Sequence, residues 1–205
     1  KRVMMAVDEW GIWVDNEPDT APGFLYQQNT MRSALCAVLM LHIFHKYADR
    51  IRLANLAQTI NVLQAIILTE GSKMIKTPTY YVFDLLKGHQ DSNFIPVEWE
   101  EKPEKIERGL PHVDISSSMN AEGKITISIV NISTESNAEG SIAFSGKVPV
   151  KAIGKILVGE VTAHNTFENP ENVVARAFHG FTCENGLLKF NLPPCAIVSL
   201  EVETD

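Results

Sequence analysis

Val3 to Val7 form a continuous apolar run that stops abruptly at Asp8-Glu9. Such a run suits a strand buried on both faces of a parallel sheet, not one with alternating faces. A polar loop containing Gly and Pro follows from Val14 to Gly23. Leu35, Val38, Leu39, Leu41, His42, Phe44 and His45 then recur at three- and four-residue spacings. That stripe is wide enough for a helix packed on a sheet, and Tyr47-Ala48-Asp49-Arg50 ends it. Ile51 to Ala57 predicts a second buried strand, closed by polar Gln58, Thr59 and Asn61, with a longer connection through Gly71. At Thr77-Pro78, Thr can accept from an unpaired amide as N-cap and Pro fits the first helical position, so a helix starts there. It runs to about Lys87, with Gly88 as its stop.

From about Phe94 the period changes to two. Runs such as Ile125-Thr126-Ile127-Ser128-Ile129-Val130 and Val198-Ser199-Leu200-Glu201-Val202 alternate between turn signals at Glu122-Gly123, Glu139-Gly140 and Asn185-Gly186. That texture predicts an antiparallel sandwich. Phe178, Phe181 and Trp99 are expected in its core. Charged residues and prolines cluster around Trp99, which places a boundary between Asp91 and Pro103 and divides the chain into 1–92 and 93–205. The expected class is α/β plus all-β. Two strand-helix units leave sheet edges and a helix face without partners, so the chain, which opens at Lys1 directly on a strand, is expected to be part of a longer protein.

The 205 residues suffice for a real core, and a net charge of -7 from scattered carboxylates disfavours nucleic acid as a partner. No apolar run reaches the roughly 20 residues that span a bilayer, so no membrane partner is expected. Lys1-Arg2 before Val3 to Val7 imitates a signal peptide, but Asp8 and Glu9 cut the apolar stretch too short. Of Cys36, Cys183 and Cys195, only the last two lie in neighbouring predicted strands, and a bridge between them is the less expected outcome. The compartment stays open, with periplasm or secretion slightly favoured. Asn131-Ile132-Ser133 is a short glycosylation pattern that carries no weight by itself.

In parallel α/β folds the active site gathers at the C-terminal ends of the strands. That rule singles out Asp8-Glu9-Trp10 and Gln58-Thr59 with Asn61. A carboxylate beside Trp10 and Trp13 suits carbohydrate chemistry, in which aromatic faces cover sugar CH surfaces while the carboxylate reacts at the anomeric carbon. An acidic loop residue that caps a helix or pairs with an arginine explains the same carboxylate, so the residues alone leave both readings open. His42 and His45 are spaced for one helix face but lack a third ligand, and no metal is expected. Ser116 to Ser118 and Ser133 to Ser136 have no His-Asp partners and read as solvated turns.

Ala6-Val7-Asp8-Glu9-Trp10-Gly11-Ile12-Trp13 resembles the nucleophile strand of glycoside hydrolase family 51. Four further segments match that family in the same order: Gly23-Phe24-Leu25-Tyr26-Gln27-Gln28-Asn29-Thr30, His45-Lys46-Tyr47-Ala48-Asp49-Arg50, Ala54-Asn55-Leu56-Ala57-Gln58-Thr59-Ile60-Asn61-Val62 and Thr77-Pro78-Thr79-Tyr80. The similarity is close from Val3 to Gln90; over the sandwich it rests on position and texture. It implies the last strands and helices of a (β/α)8 barrel followed by a jelly-roll-like sandwich. It also implies a retaining, exo-acting α-L-arabinofuranosidase that removes arabinofuranosyl groups from arabinoxylan or arabinan without a cofactor.

By that resemblance Glu9 is the nucleophile and Gln58 holds arabinose hydroxyls, while Trp13 lines the neighbouring sugar subsite and Trp10 shapes the pocket wall. Gly11 stands where family members often carry Asn, which bears on leaving-group contacts and not on the nucleophile. The family's acid/base lies in an Asn-Glu pair on an earlier strand. Asn16-Glu17-Pro18 imitates that pair but follows no strand of its own. The implied partners are arabinose-containing glycans, the remainder of the parent enzyme and a homo-oligomer, and the chain alone is expected to be inactive. The rival readings are a non-catalytic carbohydrate-binding or structural sandwich and an endo-acting glycosidase of the same barrel type.

Overall fold

The computed structural model describes residues 3–105 and 109–205. The expectations resting on Lys1 and Arg2 therefore lie outside the described residues. The elements, in order, are β1 (Met5–Trp10), α1 (Met31–Lys46), β2 (Ile51–Leu56), β3 (Ile67–Glu70), β4 (Lys73–Lys76), α2 (Pro78–Leu86), β5 (Asn93–Ile95), β6 (Val113–Met119) and β7 (Ile125–Asn131). There follow β8 (Ala138–Ala143), β9 (Pro149–Val158), β10 (Arg176–Phe178), β11 (Phe181–Glu184), β12 (Leu187–Leu192) and β13 (Ala196–Thr204). Contacts group them into two compact units, 1–83 with 159–174, and 84–158 with 175–205. No described helix is long and apolar enough to cross a membrane, and all three cysteines are free.

The first unit is built on a strand-helix-strand motif in which β1 and β2 pair in parallel. Its helix α1 buries Met31, Ala34, Leu35, Ala37, Val38 and Phe44 on one face. Thr30 gives α1 no side-chain cap. The first helix amides are instead satisfied by the segment 159–174, whose Ala163 and Val161 carbonyls accept from Met31 N and Arg32 N at 2.9 Å each. Asn165 anchors that segment: its Nδ2 donates to the carbonyls of Lys76 and Val173, and its Oδ1 accepts from Val173 N.

Three sequence expectations change in this unit. The strands expected to be buried on both faces are largely exposed, because among the described residues β1 and β2 pair only with each other. The long connection through Gly71 is a hairpin of β3 and β4, with Gly71 in the left-handed region at its turn. The Thr77 hydroxyl donates to the Ala65 carbonyl at 2.9 Å, tying the start of α2 to the loop after β2.

The second unit is an antiparallel sandwich of a six-stranded sheet, β10-β9-β13-β7-β6-β5, and a three-stranded sheet, β11-β12-β8. Ile125, Ile127 and Ile129 of β7, Val198, Leu200 and Val202 of β13, and Leu188, Phe190 and Leu192 of β12 form one core. Period two explains the choice of faces, since each strand sends alternate side chains inward. Phe178 is in this core and Phe181 packs against it, whereas Trp99 is exposed.

Ser116 to Ser118 are not solvated turns. They lie buried in β6, where Ser118 Oγ is 2.8 Å from His89 Nδ1 and Ser117 Oγ donates to the Ile95 carbonyl. Ser128 of β7 holds the other nitrogen of His89 at 2.9 Å. Polar residues alternating with the isoleucines thus meet a histidine instead of water. Asn131 is also buried, donating to the carbonyls of Ser136, Leu192 and Pro193. An amide so engaged is closed to glycosylation in the folded chain. Ser133 to Ser136 do form a turn, in which Ser133 Oγ accepts from the amides of Glu135 and Ser136.

Candidate active site

Parallel pairing brings the ends of β1 and β2 side by side. Trp10 is in register with Leu56, and Ala57 N donates to the Trp10 carbonyl at 2.7 Å. Glu9 therefore stands one residue before this last bond, and Gln58 two residues beyond Leu56, on adjacent strands at one end of the sheet. The register is irregular between Val7 and Trp10, where β1 spends three residues against two of β2. Such bulges re-aim a side chain, and they cluster next to active sites. Asp8 and Glu9 occupy this stretch, and both are exposed.

After β2 the backbone turns sharply. Gln58, Asn61 and Leu63 all have positive φ, at 59°, 62° and 47°. Non-glycine residues in the left-handed region concentrate at binding and catalytic loops, where the surrounding structure holds them. Asn61 is held by Thr69, whose amide donates to Oδ1 at 2.7 Å and whose hydroxyl accepts from Nδ2 at 2.8 Å. Gln58 lines a depression of about 680 Å³ together with Phe24, Leu25, Tyr26, Asn61 and Val62. Burial, and then the charge of Glu17, push the Tyr26 phenol above its ordinary value.

The two tryptophans part company. Trp13 is 67% exposed and lines a second depression of about 500 Å³ with Val14, Asp15, Asn16 and Leu25. Leu25 is common to both depressions, whereas Glu9 lines neither. Trp10 is 8% exposed and packs edge-on against Phe44 of α1 at 5.3 Å and stacks on Phe83 of α2 at 6.4 Å. It faces the helices, one residue along the strand from Glu9, so it braces the strand from behind.

The loop after β1 is a built structure. Asn16 Nδ2 donates to the Pro22 carbonyl, and Glu17 Oε1 accepts from Gln28 N at 2.9 Å. The Glu17 carboxylate thus closes the loop on itself. Two buried amides that sequence reasoning passed over, Gln27 and Gln64, bond the backbone of Ile12 and Val14 on either side of Trp13. The helix pair His42 and His45 has ring centroids 6.3 Å apart. His45 is lowered to about 4 by burial and then by the charge of His42. Among the described residues no group of three His, Cys, Asp or Glu side chains is placed to hold a metal ion.

Residues 8–196 match the family model described as the alpha-L-arabinofuranosidase C-terminal domain. The chain is 42% identical over 99% of its length to an intracellular exo-alpha-L-arabinofuranosidase of Bacteroides ovatus, covering 40% of that protein. A GH51 arabinofuranosidase from Xanthomonas axonopodis pv. citri superposes with a TM-score of 0.93 at 37% identity, over 98% of this chain and 41% of that one. The arabinose complex of the Thermotoga maritima alpha-L-arabinofuranosidase gives 0.85 at 26% identity, over 98% and 43%. The chain thus spans about two fifths of the length of these relatives, and with residues 8–196 matched it belongs to the alpha-L-arabinofuranosidase C-terminal domain family of glycoside hydrolase family 51.

Proposed function

We propose that this chain is the C-terminal part of a retaining, exo-acting α-L-arabinofuranosidase, with the first unit completing a (β/α)8 barrel and Glu9 as the nucleophile. The observation that carries the reading is the placement of Glu9 and Gln58 at the ends of adjacent parallel strands, beside a register irregularity and a strained loop. The exo mode is supported by the likeness to the exo-alpha-L-arabinofuranosidase of Bacteroides ovatus.

In this reading a Glu9 oxygen bonds to the anomeric carbon as the bond from that carbon to the leaving oxygen breaks. The leaving oxygen takes a proton from a second carboxyl group, which retention requires at roughly 5 Å from the first. Glu17 is committed to the Gln28 amide, so that group comes from another part of the full-length protein. Water, deprotonated by the same group, then releases arabinose and restores Glu9. Gln58 donates to and accepts from sugar hydroxyls, Trp13 covers the leaving-group sugar, and Trp10 acts by fixing the strand.

The test is hydrolysis of 4-nitrophenyl α-L-arabinofuranoside by the full-length protein. Glu9→Ala is expected to lower the rate by roughly 10⁴-fold or more, with azide restoring part of it as an inverted glycosyl azide. The chain by itself is expected to give no turnover. A Glu9→Ala protein that keeps its rate, or an active isolated chain, sinks the assignment.

A further inference from the structure

Trp13 is the most exposed aromatic at the strand ends after Phe24, yet the backbone on both sides of it is held by side chains that are almost fully buried. Gln27 is 1% exposed: its Nε2 donates to the Ile12 carbonyl at 3.1 Å, and its Oε1 accepts from Val14 N at 3.0 Å. Gln64 is also 1% exposed: its Oε1 accepts from Ile12 N at 3.1 Å, and its Nε2 donates to Thr79 Oγ1 at 3.3 Å. Two amides therefore satisfy three backbone groups that flank one residue. Both polar atoms of each glutamine are engaged in these bonds.

The neighbourhood is shaped to admit this clamp. Gly11 sits at a φ of 151°, which glycine adopts without strain, and a Cβ there would lie 3.2 Å from Gln64 Cβ, a tight contact. Leu63 N donates to the Leu25 carbonyl at 3.0 Å, tying the loop after β2 to the rim residue that both depressions share. Thr79, which anchors Gln64, is fully buried at the start of α2. The clamp thus runs from the rigid helix through Gln64 to Ile12, and from Gln27 to both neighbours of Trp13.

We infer that Gln27 and Gln64 are positioning residues that set the leaving-group specificity of the enzyme by holding Trp13 as a fixed aromatic platform. The inference rests on the arabinofuranosidase reading above and adds the device that orients its sugar-stacking side chain. An exposed indole on a mobile loop would lose side-chain and backbone entropy on each binding event; a backbone fixed in advance avoids the backbone part of that loss. The Gln27 arm of the clamp bonds Ile12 and Val14 and not Glu9 or Gln58, so the two halves of the substrate should respond differently to its removal.

The experiment uses the full-length protein with Gln27→Met, which keeps the side-chain length but removes both bonds. The expected result is a fall of about tenfold in kcat/KM for an arabinofuranosyl disaccharide, carried by KM. Inhibition by free L-arabinose, which reads the glycone site, should change less than about twofold. In a Trp13→Ala background the same substitution should cost nothing further, because the platform is already gone. Equal losses in both backgrounds, or a matching loss of arabinose inhibition, overturn the proposal.

Hydrogen exchange of the unmodified protein gives an answer that does not depend on activity or on the folding of a variant. Slow exchange at the Ile12 and Val14 amides upholds the clamp, and exchange as fast as in an unprotected loop overturns it. A full-length protein inactive on every arabinofuranoside would reject the functional reading, and the exchange result would then decide the clamp alone.

Discussion

The two units bury their strands in opposite ways. In the sandwich, β7 is buried along its whole length, its isoleucines in the core, its Ser128 on His89 and its Thr126 donating to the Gly88 carbonyl. In the first unit, β1 and β2 pair only with each other among the described residues and leave Val3, Met4, Met5 and Leu53 open to solvent. Yet the candidate chemistry stands on the open sheet. The contrast separates two uses of apolar sequence, since one run closes a core within the unit while the other presents a sheet edge and face that stay unpaired here.

The comparison is broken most forcefully in the sandwich. Ile129 is fully buried within the core cluster, so Ile129→Ala removes packed atoms and leaves a cavity. A loss of about 4 kcal/mol in unfolding free energy is expected. In the full-length protein, arabinofuranoside turnover per folded molecule should not change, because Glu9, the proposed nucleophile, belongs to the other unit. Denaturant unfolding followed alongside activity checks both parts, and a specific loss of kcat at full folding would show that the division of labour is wrong.

The same contrast decides how far the residues could be read in advance. α1 and sandwich strands such as β7 and β13 were legible because one face of each follows a simple period, β1 and β2 because a short apolar run stops at polar residues, and α2 from its Thr77-Pro78 start. The β3 and β4 hairpin was not, since its two four-residue strands are too short to establish a period. Residues 159–174 join the first unit through Asn165, whose bond to the Lys76 carbonyl spans 89 residues and leaves no local trace. Within the candidate site, the rule that strand ends carry chemistry singled out Asp8-Glu9-Trp10 and Gln58-Thr59 with Asn61, and the family resemblance chose Glu9 and Gln58 among them. Gln27 and Gln64 could not, because their partners are backbone groups, which every residue offers alike. Trp10 and Trp13 look equivalent in sequence, and only alternation along β1 sends one into the helices while the loop presents the other.

Acid should separate the units by a smaller margin. His45 on α1 falls from its ordinary 6.5 to about 4, with burial the larger cause and the charge of His42 the smaller. The folded chain therefore binds fewer protons here than the unfolded chain. Stability from this group is complete above pH 6.5 and is lost as the pH falls from 6.5 toward 4, by roughly 3 kcal/mol at the limit. His45→Gln should flatten the pH dependence of Tm across this window. Hydrogen exchange should rise in α1 before it rises in β7 or β13, and equal slopes for the two proteins would remove His45 as the cause.

The smallest effect tests what the open sheet is for. Leu53 lies in β2 with half of its surface exposed. Leu53→Ala in the chain by itself therefore forfeits only part of a leucine's transfer energy, about 1 kcal/mol or less. If the first unit completes a barrel in the full-length protein, neighbouring elements cover this side chain, and the same substitution should cost about 2 to 5 kcal/mol there. Unfolding of both forms measures the difference directly. A gap of this size means that the apolar run in β2 was selected for a core that this chain only begins. Equal small costs mean that the sheet stays open in the larger protein as well, and that the ends of β1 and β2 carry their chemistry without the barrel proposed to surround them.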